Sequence, residues 1–81
     1  MNIYVGNLSY QVSEEELKEE FKNFGDVKST KIIIDRETGR SKGFGFVEME
    51  QSEDGENAIN QLNGKDLKGR NIKVNESRPK N

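Results

Sequence analysis

Two phenylalanines in the segment Lys42–Met49 are the side chains best suited to contact a ligand. The segment reads KGFGFVEM, and in an extended strand alternate side chains lie on opposite faces. Phe44 and Phe46 therefore share one face of the strand. The charged side chains of Lys42 and Glu48 lie on the same face, which makes a buried position unfavourable, whereas unpaired bases stack well on exposed rings. The segment therefore predicts a strand with a base-stacking surface that faces solvent.

Small and aliphatic residues occupy the opposite face of this strand: Gly43, Gly45, Val47 and Met49. Such a face suits close packing against a helix. Burying the rings instead would expose these aliphatic side chains and pull the charges of Lys42 and Glu48 inward. The alternation therefore favours exposed rings over core rings.

The composition excludes several kinds of chemistry. The chain has 81 residues, enough for one domain, and contains neither cysteine nor histidine. A disulfide framework, a thiolate metal site and the commonest general base are therefore excluded. The glycines at 39, 43 and 45 lack phosphate-loop spacing, and the segment Asp35–Gly39 has too few alternating oxygen ligands for a calcium loop. We therefore expect no enzyme, no metal site and no cofactor.

The charges are unevenly distributed along the chain. The formal net charge is −2, which by itself disfavours a nucleic-acid partner. However, a large group of acidic residues falls in two segments with a helical pattern, whereas many basic residues fall in strands, one loop and the C-terminal tail. If helices and strands form opposite sides of the domain, this distribution orients a polyanion toward the strands.

Two segments have the apolar periodicity of helices. The first begins at Ser13, which with Glu16 forms a capping-box signature, and ends at Gly25, which suits a left-handed cap. The second begins near Ser52 and ends at Asn63–Gly64. The apolar residues of each segment lie on one face: Leu17, Phe21 and Phe24 in the first, and Ala58, Ile59 and Leu62 in the second.

Four segments have the pattern of strands: Asn2–Gly6, Val27–Ile34, Lys42–Glu50 and Arg70–Asn75. Alternation places one set of side chains toward the core: Ile3, Val5, Ile32, Ile34, Ile72 and Val74. It places another set on the opposite face: Tyr4, Lys31, Ile33 and Lys73. The order is strand, helix, strand, strand, helix, strand, and two helices can cover only one face of a four-stranded sheet. The uncovered face would carry three aromatic rings flanked by lysines.

At these residues the sequence resembles the RNA recognition motif family. Ile3–Leu8 is similar to the hexamer motif of that family, and Lys42–Met49 is similar to its octamer motif, whose sheet stacks two or three bases. Met49 stands where an aromatic residue is usual, but alternation places it on the core side. The resemblance runs from about residue 2 to residue 75. It implies an α+β, ferredoxin-like βαββαβ sandwich, with a four-stranded antiparallel sheet and two helices on one face.

The resemblance also implies roles for individual side chains. It implies base stacking on Tyr4 and Phe46, with Phe44 against sugars or between two nucleotides. Lys42 would contact a phosphate, and the loop 36–41 and the tail from residue 76 would flank the bound strand. Further candidate RNA contacts, each of which could instead be an ordinary surface residue, are Lys31, Ile33, Lys73, Asn75, Arg36, Arg40 and Arg78.

The leading hypothesis is single-stranded RNA binding by base stacking on the exposed sheet, in post-transcriptional regulation or RNA chaperoning. Single-stranded DNA is an alternative partner, because stacking does not sense the 2′-hydroxyl group. A protein-interaction module that uses the acidic helical face is a second alternative. We expect one domain over residues 1–76, a short polar tail over residues 77–81, and a monomer similar to the short single-domain members found in bacteria.

The sequence also gives an expectation for location. No apolar run approaches the roughly 20 residues of a membrane span; the longest aliphatic run is Ile32–Ile34. The first residues lack the basic and apolar regions of a signal peptide. We therefore expect a cytoplasmic protein.

Overall fold

The computed structural model describes residues 1–77 of the chain. Arg78, one of the predicted RNA contacts, lies outside the described residues. Within residues 1–77 the elements are β1 (Asn2–Gly6), α1 (Glu14–Lys22), β2 (Val27–Ile34), β3 (Ser41–Met49), α2 (Ser52–Leu62), β4 (Asp66–Leu67), β5 (Arg70–Asn71) and β6 (Lys73–Glu76).

Four of the strands form one antiparallel sheet in the order β2–β3–β1–β6. The strands β3 and β1 are central, so the two motif segments are neighbours in the middle of the sheet. Helix α1 packs against β2 and helix α2 packs against β6. The buried side chains of both helices join those of the strands in a single cluster, so both helices lie on one face. The predicted ferredoxin-like βαββαβ architecture is confirmed.

The hydrophobic core lies between the helices and that face of the sheet. It is formed by Ile3, Val5, Leu8, Val12, Leu17, Phe21, Ile32, Val47, Met49, Ala58, Leu62, Ile72 and Val74. Burial of one large aliphatic or aromatic side chain stabilises a fold by about 1.5–3 kcal/mol. Phe24 is only half-buried and packs at the margin of this cluster. Met49 is buried, as the alternation predicts, so its departure from the aromatic pattern affects the core and not the open face.

The first helix begins as predicted but ends earlier. The backbone N–H of Glu16 donates to Ser13 Oγ at 3.1 Å, and the Ser13 N–H donates to Glu16 Oε1 at 3.3 Å, which confirms the capping box. The predicted end at Gly25 is wrong, because the last helical residue is Lys22 and the capping residue Asn23 is right-handed. No helix within residues 1–77 is long and apolar enough to cross a membrane.

The predicted strand Arg70–Asn75 is in fact two strands. Residues 70–71 pair with β4 in a separate hairpin, and only residues 73–76 join the main sheet. The two residues of the hairpin turn, Lys68 and Gly69, both have positive φ, at 53° and 88°. Turns with positive φ at both central residues match the twist of paired strands. The hairpin therefore interrupts the strand at Ile72, whose side chain remains in the core.

One core prediction is wrong at the end of β2. Ile32 is buried, but Ile34 is 54% exposed. The pairing of β2 with β3 changes register between these two residues, because Ile32 lies opposite Gly45 and Ile34 lies opposite Ser41. Such an irregularity breaks the alternation of side chains and redirects the strand. Ile33, predicted to face outward, is half-buried at this irregularity.

Three glutamates of α1 bind other parts of the domain. Glu14 Oε2 accepts a hydrogen bond from the Ile32 backbone N–H at 3.0 Å. Glu16 and Glu20 form ion pairs with the lysines that flank β4, Lys68 and Lys65. The hydrogen bond from Lys68 lowers the pKa of the Glu16 carboxyl group. Any stabilisation from this pair is therefore present above the ordinary glutamate pKa and is lost as the pH falls through the lowered value.

Gly43 packs against the loop that follows β1, and not against a helix. Its φ is +84°, a backbone conformation that residues other than glycine rarely adopt. Its carbonyl oxygen accepts the Leu8 N–H at 2.8 Å. A Cβ atom on Gly43 would lie 3.3 Å from Leu8 O and 3.3 Å from Cε1 of Tyr10. The glycine therefore permits the β1–α1 loop to lie close against β3.

The substitution Gly43→Ala should lower the free energy of unfolding by about 1–2 kcal/mol, because a left-handed backbone is strained for a residue with a Cβ atom and because this atom would lie tightly against Leu8 O and the Tyr10 ring. Gly39→Ala is a matched control: the φ of Gly39 is +72°, but no atom lies within 4 Å of its Cβ position. We expect a smaller loss at Gly39, where the exposed loop can relax. Urea denaturation measures both values. Equal losses for the two variants would contradict the proposed loop contact.

Candidate nucleic-acid interface

Three aromatic rings contact one another on the face of the sheet that the helices leave open. Tyr4 lies on β1, and Phe44 and Phe46 lie on β3; we call these three residues the ring platform. The ring centroids are 6.1 Å apart for Tyr4 and Phe44, 5.9 Å for Tyr4 and Phe46, and 6.3 Å for Phe44 and Phe46. Two of the pairs have edge-to-face geometry, which the charge distribution of aromatic rings favours. Phe46 is 38% exposed and the other two rings are half-buried.

The backbone pairing explains why the rings meet. The Cα atom of Tyr4 is paired with that of Phe46 across β1 and β3, and residues two apart on one strand share a face. Gly6 provides space for the tyrosine, since a Cβ atom there would lie 2.5 Å from Tyr4 Oη and 2.9 Å from Cζ. The position of the Tyr4 ring therefore depends on a glycine two residues further along its own strand.

A shallow depression of about 440 Å³ borders the ring platform on the β6 side. Asn75, Glu76 and Ser77 line it together with the three rings. Asn75 is the Cα partner of Tyr4, so this predicted contact residue does lie beside the platform. Amide, carboxylate and hydroxyl groups can donate to or accept from base edges. The depression therefore combines stacking surfaces with groups that can distinguish bases.

Three predicted lysines surround the platform on different strands. Lys31 on β2 is the Cα partner of Phe46, and Lys73 on β6 is the Cα partner of Gly6. Lys42 on β3 lines a depression with Phe44. All three are exposed, and none of them forms an ion pair within residues 1–77. Their ammonium groups are therefore available to phosphates.

The two predicted loop arginines differ in their surroundings. Arg40 lines the same depression as Lys42 and Phe44, so the structure brings it to the margin of the platform. Arg36 is exposed, and its side chain has no hydrogen bond or ion pair among the described residues. Nothing in the described structure therefore fixes the Arg36 side chain beside the rings.

Two side chains beside the platform were missed by the sequence reasoning. Tyr10 is 70% exposed and lines two depressions next to Phe44. The sequence does indicate an exposed position for Tyr10, because this aromatic residue stands between Ser9 and Gln11, outside any apolar periodicity. Arg70 lines the smaller of these depressions. Its position had no sequence signal, because it depends on the unexpected hairpin of β4 and β5.

The interface offers stacking, hydrogen bonding and positive charge. Among residues 1–77, no group of three or more acidic, histidine or cysteine side chains is placed to hold a metal ion. The rings supply apolar contact area, and the lysines supply charge at the edges. This arrangement suits an extended polyanion with exposed planar groups, such as a single-stranded nucleic acid.

Comparisons with known proteins agree with this geometry. A family model described as RNA recognition motif matches residues 3–73. RbpB of Nostoc sp. (strain PCC 7120 / SAG 25.82 / UTEX 2576) is 50% identical over 80 residues, which cover 99% of this chain and 78% of RbpB.

Two solved structures show the same similarity. The crystal structure of RNA Binding Protein PG1 has a TM-score of 0.93 and 51% identity, with 99% of each chain covered. The structure of the Rna15 RRM with bound RNA (GU) has a TM-score of 0.86 and 35% identity, and the match covers 96% of this chain and 83% of that chain. These structures are named for RNA binding, which is not an enzymatic activity.

The substitution Gly6→Ala should displace the Tyr4 ring, because the new methyl group would overlap its hydroxyl end. Since Tyr4 contacts both phenylalanines, we expect the aromatic proton resonances of Phe44 and Phe46 to shift in NMR spectra of the free protein. Asn57→Ala, on the exposed surface of α2, is the control and should leave those resonances in place. Unchanged phenylalanine resonances in the Gly6 variant would show that the three rings are not coupled.

Proposed function

The chain belongs to the RNA recognition motif family, and from that premise we propose that it binds single-stranded RNA by stacking bases on the ring platform. The observation that carries the proposal is the set of three rings in mutual contact on an uncovered sheet. Tyr4 and Phe46 each receive a base, and Phe44 lies against sugars or between two nucleotides. Rings that already contact one another need little reorganisation on binding, which lowers the entropic cost of association.

The expected affinity for RNA is moderate. Each stacked base contributes roughly 1–3 kcal/mol, so two or three bases contribute at most several kcal/mol before ordering costs. A dissociation constant of about micromolar order follows. With three or four phosphate contacts, log K should fall with log salt concentration with a slope of about −2 to −3. Lys31, Lys42 and Lys73 are the proposed sources of three of these contacts.

Base preference is assigned to the polar groups beside the rings. Stacking accepts any base, so discrimination requires hydrogen bonds to base edges. Asn75 lines the depression next to Tyr4, together with Glu76 and Ser77. We assign base-edge contacts to these residues. We also assign RNA contacts without base discrimination to Ile33, Arg36 and Arg40, at the end of the sheet where β2 leads into β3.

The proposed binding unit is residues 1–76, with the tail 77–81 flanking the bound strand. The main sheet ends at Glu76, and Ser77, the first residue after it, lines the depression that borders the rings. Arg78 is assigned a phosphate contact on this ground. Moderate, weakly selective binding of this kind suits RNA chaperoning or post-transcriptional regulation. The cytoplasmic location and the monomeric state stay predictions.

The alternative of a protein partner on the acidic helical face is not favoured. Three of the α1 carboxylates already bind within the domain: Glu14 to the backbone of β2, and Glu16 and Glu20 to the lysines that flank β4. Their charges are thus partly neutralised where a basic partner would need them. Single-stranded DNA is a rival ligand for the same rings, and matched RNA and DNA oligomers distinguish the two.

The substitution Phe46→Ala should raise the dissociation constant for a short single-stranded RNA by about 5- to 150-fold, because it removes a stacking surface worth roughly 1–3 kcal/mol. Fluorescence anisotropy of a labelled oligomer measures the change. Ile34→Ala is the matched control, since it removes an exposed apolar side chain that lines none of the described depressions bordered by the rings, and should leave affinity within about twofold.

The double variant Phe44→Ala/Phe46→Ala should lose nearly all measurable affinity. Circular dichroism and urea denaturation check that each variant remains folded. A folded double variant that binds as tightly as the wild type would overturn the stacking proposal.

A further inference from the structure

A second depression lies beside the ring platform, at the end of the sheet where β1 leads into the loop before α1. Its volume is about 260 Å³. Tyr10, Lys42 and Arg70 line it together with Tyr4 and Phe44 of the platform. We call this depression the Arg70 subsite. Because Tyr4 and Phe44 belong to both, the Arg70 subsite adjoins the ring platform.

The guanidinium group of Arg70 is held in place by Asn7. Arg70 Nη2 donates a hydrogen bond to Asn7 Oδ1, and Asn7 Nδ2 donates to the Asn71 carbonyl oxygen at 2.8 Å. The side chain of Asn7 therefore joins the end of β1 to the β4–β5 hairpin. Asn7 has a φ of +55°, a conformation that asparagine tolerates better than most residues. An arginine fixed in this way loses little side-chain freedom when it binds a ligand.

The charge of the Arg70 subsite suits an anion. Lys42 and Arg70 both line it, and none of its lining residues carries a carboxylate. An arginine side chain offers five N–H donors, and Asn7 is the one side-chain acceptor that Arg70 has among the described residues. Donors therefore remain for a second acceptor. Phosphate oxygens match the planar fork of a guanidinium group well.

Tyr10 lines both this subsite and the neighbouring depression that Arg40 lines. Its ring lies close over Gly43, because a Cβ atom there would be 3.3 Å from Tyr10 Cε1. The ring is nevertheless 70% exposed. An exposed aromatic ring held against the backbone offers a sugar or a base a contact surface next to the cations.

We propose that the Arg70 subsite binds a phosphodiester group of the RNA strand directly beyond the ring platform, with Tyr10 against the adjoining sugar or base and Asn7 as the residue that positions Arg70. This inference rests on the proposed RNA binding and extends its path by about one nucleotide. The surface that contacts RNA then extends beyond the three rings of the platform.

The salt dependence of binding tests the phosphate contact. Removal of one contact to a single strand should reduce the slope of log K against log salt concentration by about 0.7. We expect this reduction for Arg70→Gln, with a dissociation constant raised about two- to fivefold at low salt. Lys68→Gln is the matched control: it removes a cation from the same hairpin, but one that is paired with Glu16. That control should keep the wild-type slope.

The substitution Asn7→Gly separates positioning from folding. Glycine accepts the positive φ of this site, so the backbone is retained while the anchor of Arg70 is lost. We expect the salt slope to fall as in Arg70→Gln. A purely structural role for Asn7 would lower the urea midpoint and leave the slope at its wild-type value, and that result would overturn the positioning role.

A series of labelled oligouridylates of increasing length distinguishes failure of the subsite from failure of the platform. The wild type should gain affinity when the strand becomes long enough to reach the Arg70 subsite, and Tyr10→Ala and Arg70→Gln should lose that gain while binding the shortest oligomers normally. If Phe46→Ala weakens binding but Arg70→Gln keeps the wild-type slope and length dependence, the subsite is refuted. If Phe46→Ala has no effect, the platform itself is refuted.

Discussion

Within residues 1–77, two short helices cover one face of a four-stranded sheet, and no other element packs on the opposite face. All thirteen buried hydrophobic side chains of the described residues belong to one cluster, between α1, α2 and the covered face. The three rings on the open side are not part of this cluster. Because those rings are not needed to fill a core, their size and chemistry are free to serve a ligand.

An uncovered face with three rings would be an aggregation hazard in most small domains, since exposed apolar patches attract other apolar surfaces. Here each ring packs against the other two, which removes much of their area from water. The strands around them carry Lys31, Lys42 and Lys73, which have no ion pair among residues 1–77. The same lysines that oppose association between copies of the chain attract phosphates. Three of the five acidic residues of α1 are bound to the β2 backbone or to the hairpin lysines, so this negative charge is held on the opposite side of the sheet from the ligand.

Period-two alternation in the central strands was sufficient to predict the platform, because β1 and β3 pair in regular register around Tyr4 and Phe46. The resemblance of the hexamer and octamer motifs to those of the family predicted the topology, and the capping box at Ser13 predicted where the first helix begins.

Alternation gave a wrong prediction at Ile34. The irregularity in the β2–β3 ladder there depends on which residues of the partner strand lie opposite, and the sequence of a single strand does not carry that information. The hairpin of β4 and β5 was also missed, because Lys68 takes a positive φ that no local residue preference indicates. Arg70 and Tyr10 reach the edge of the platform only through those loop conformations, so the sequence predicted the centre of the interface and not its margin.

An NMR titration of the wild-type protein with a short single-stranded RNA shows whether bases stack on the ring platform. If bases stack on the platform, the ring protons of Tyr4, Phe44 and Phe46 will show large upfield shifts, because a stacked base places them in its ring current, while the amide resonances of α1 and α2 will change little. Ring resonances that stay in place while the helix amides shift would rule out stacking on the platform, since binding would then occur on the covered side of the sheet.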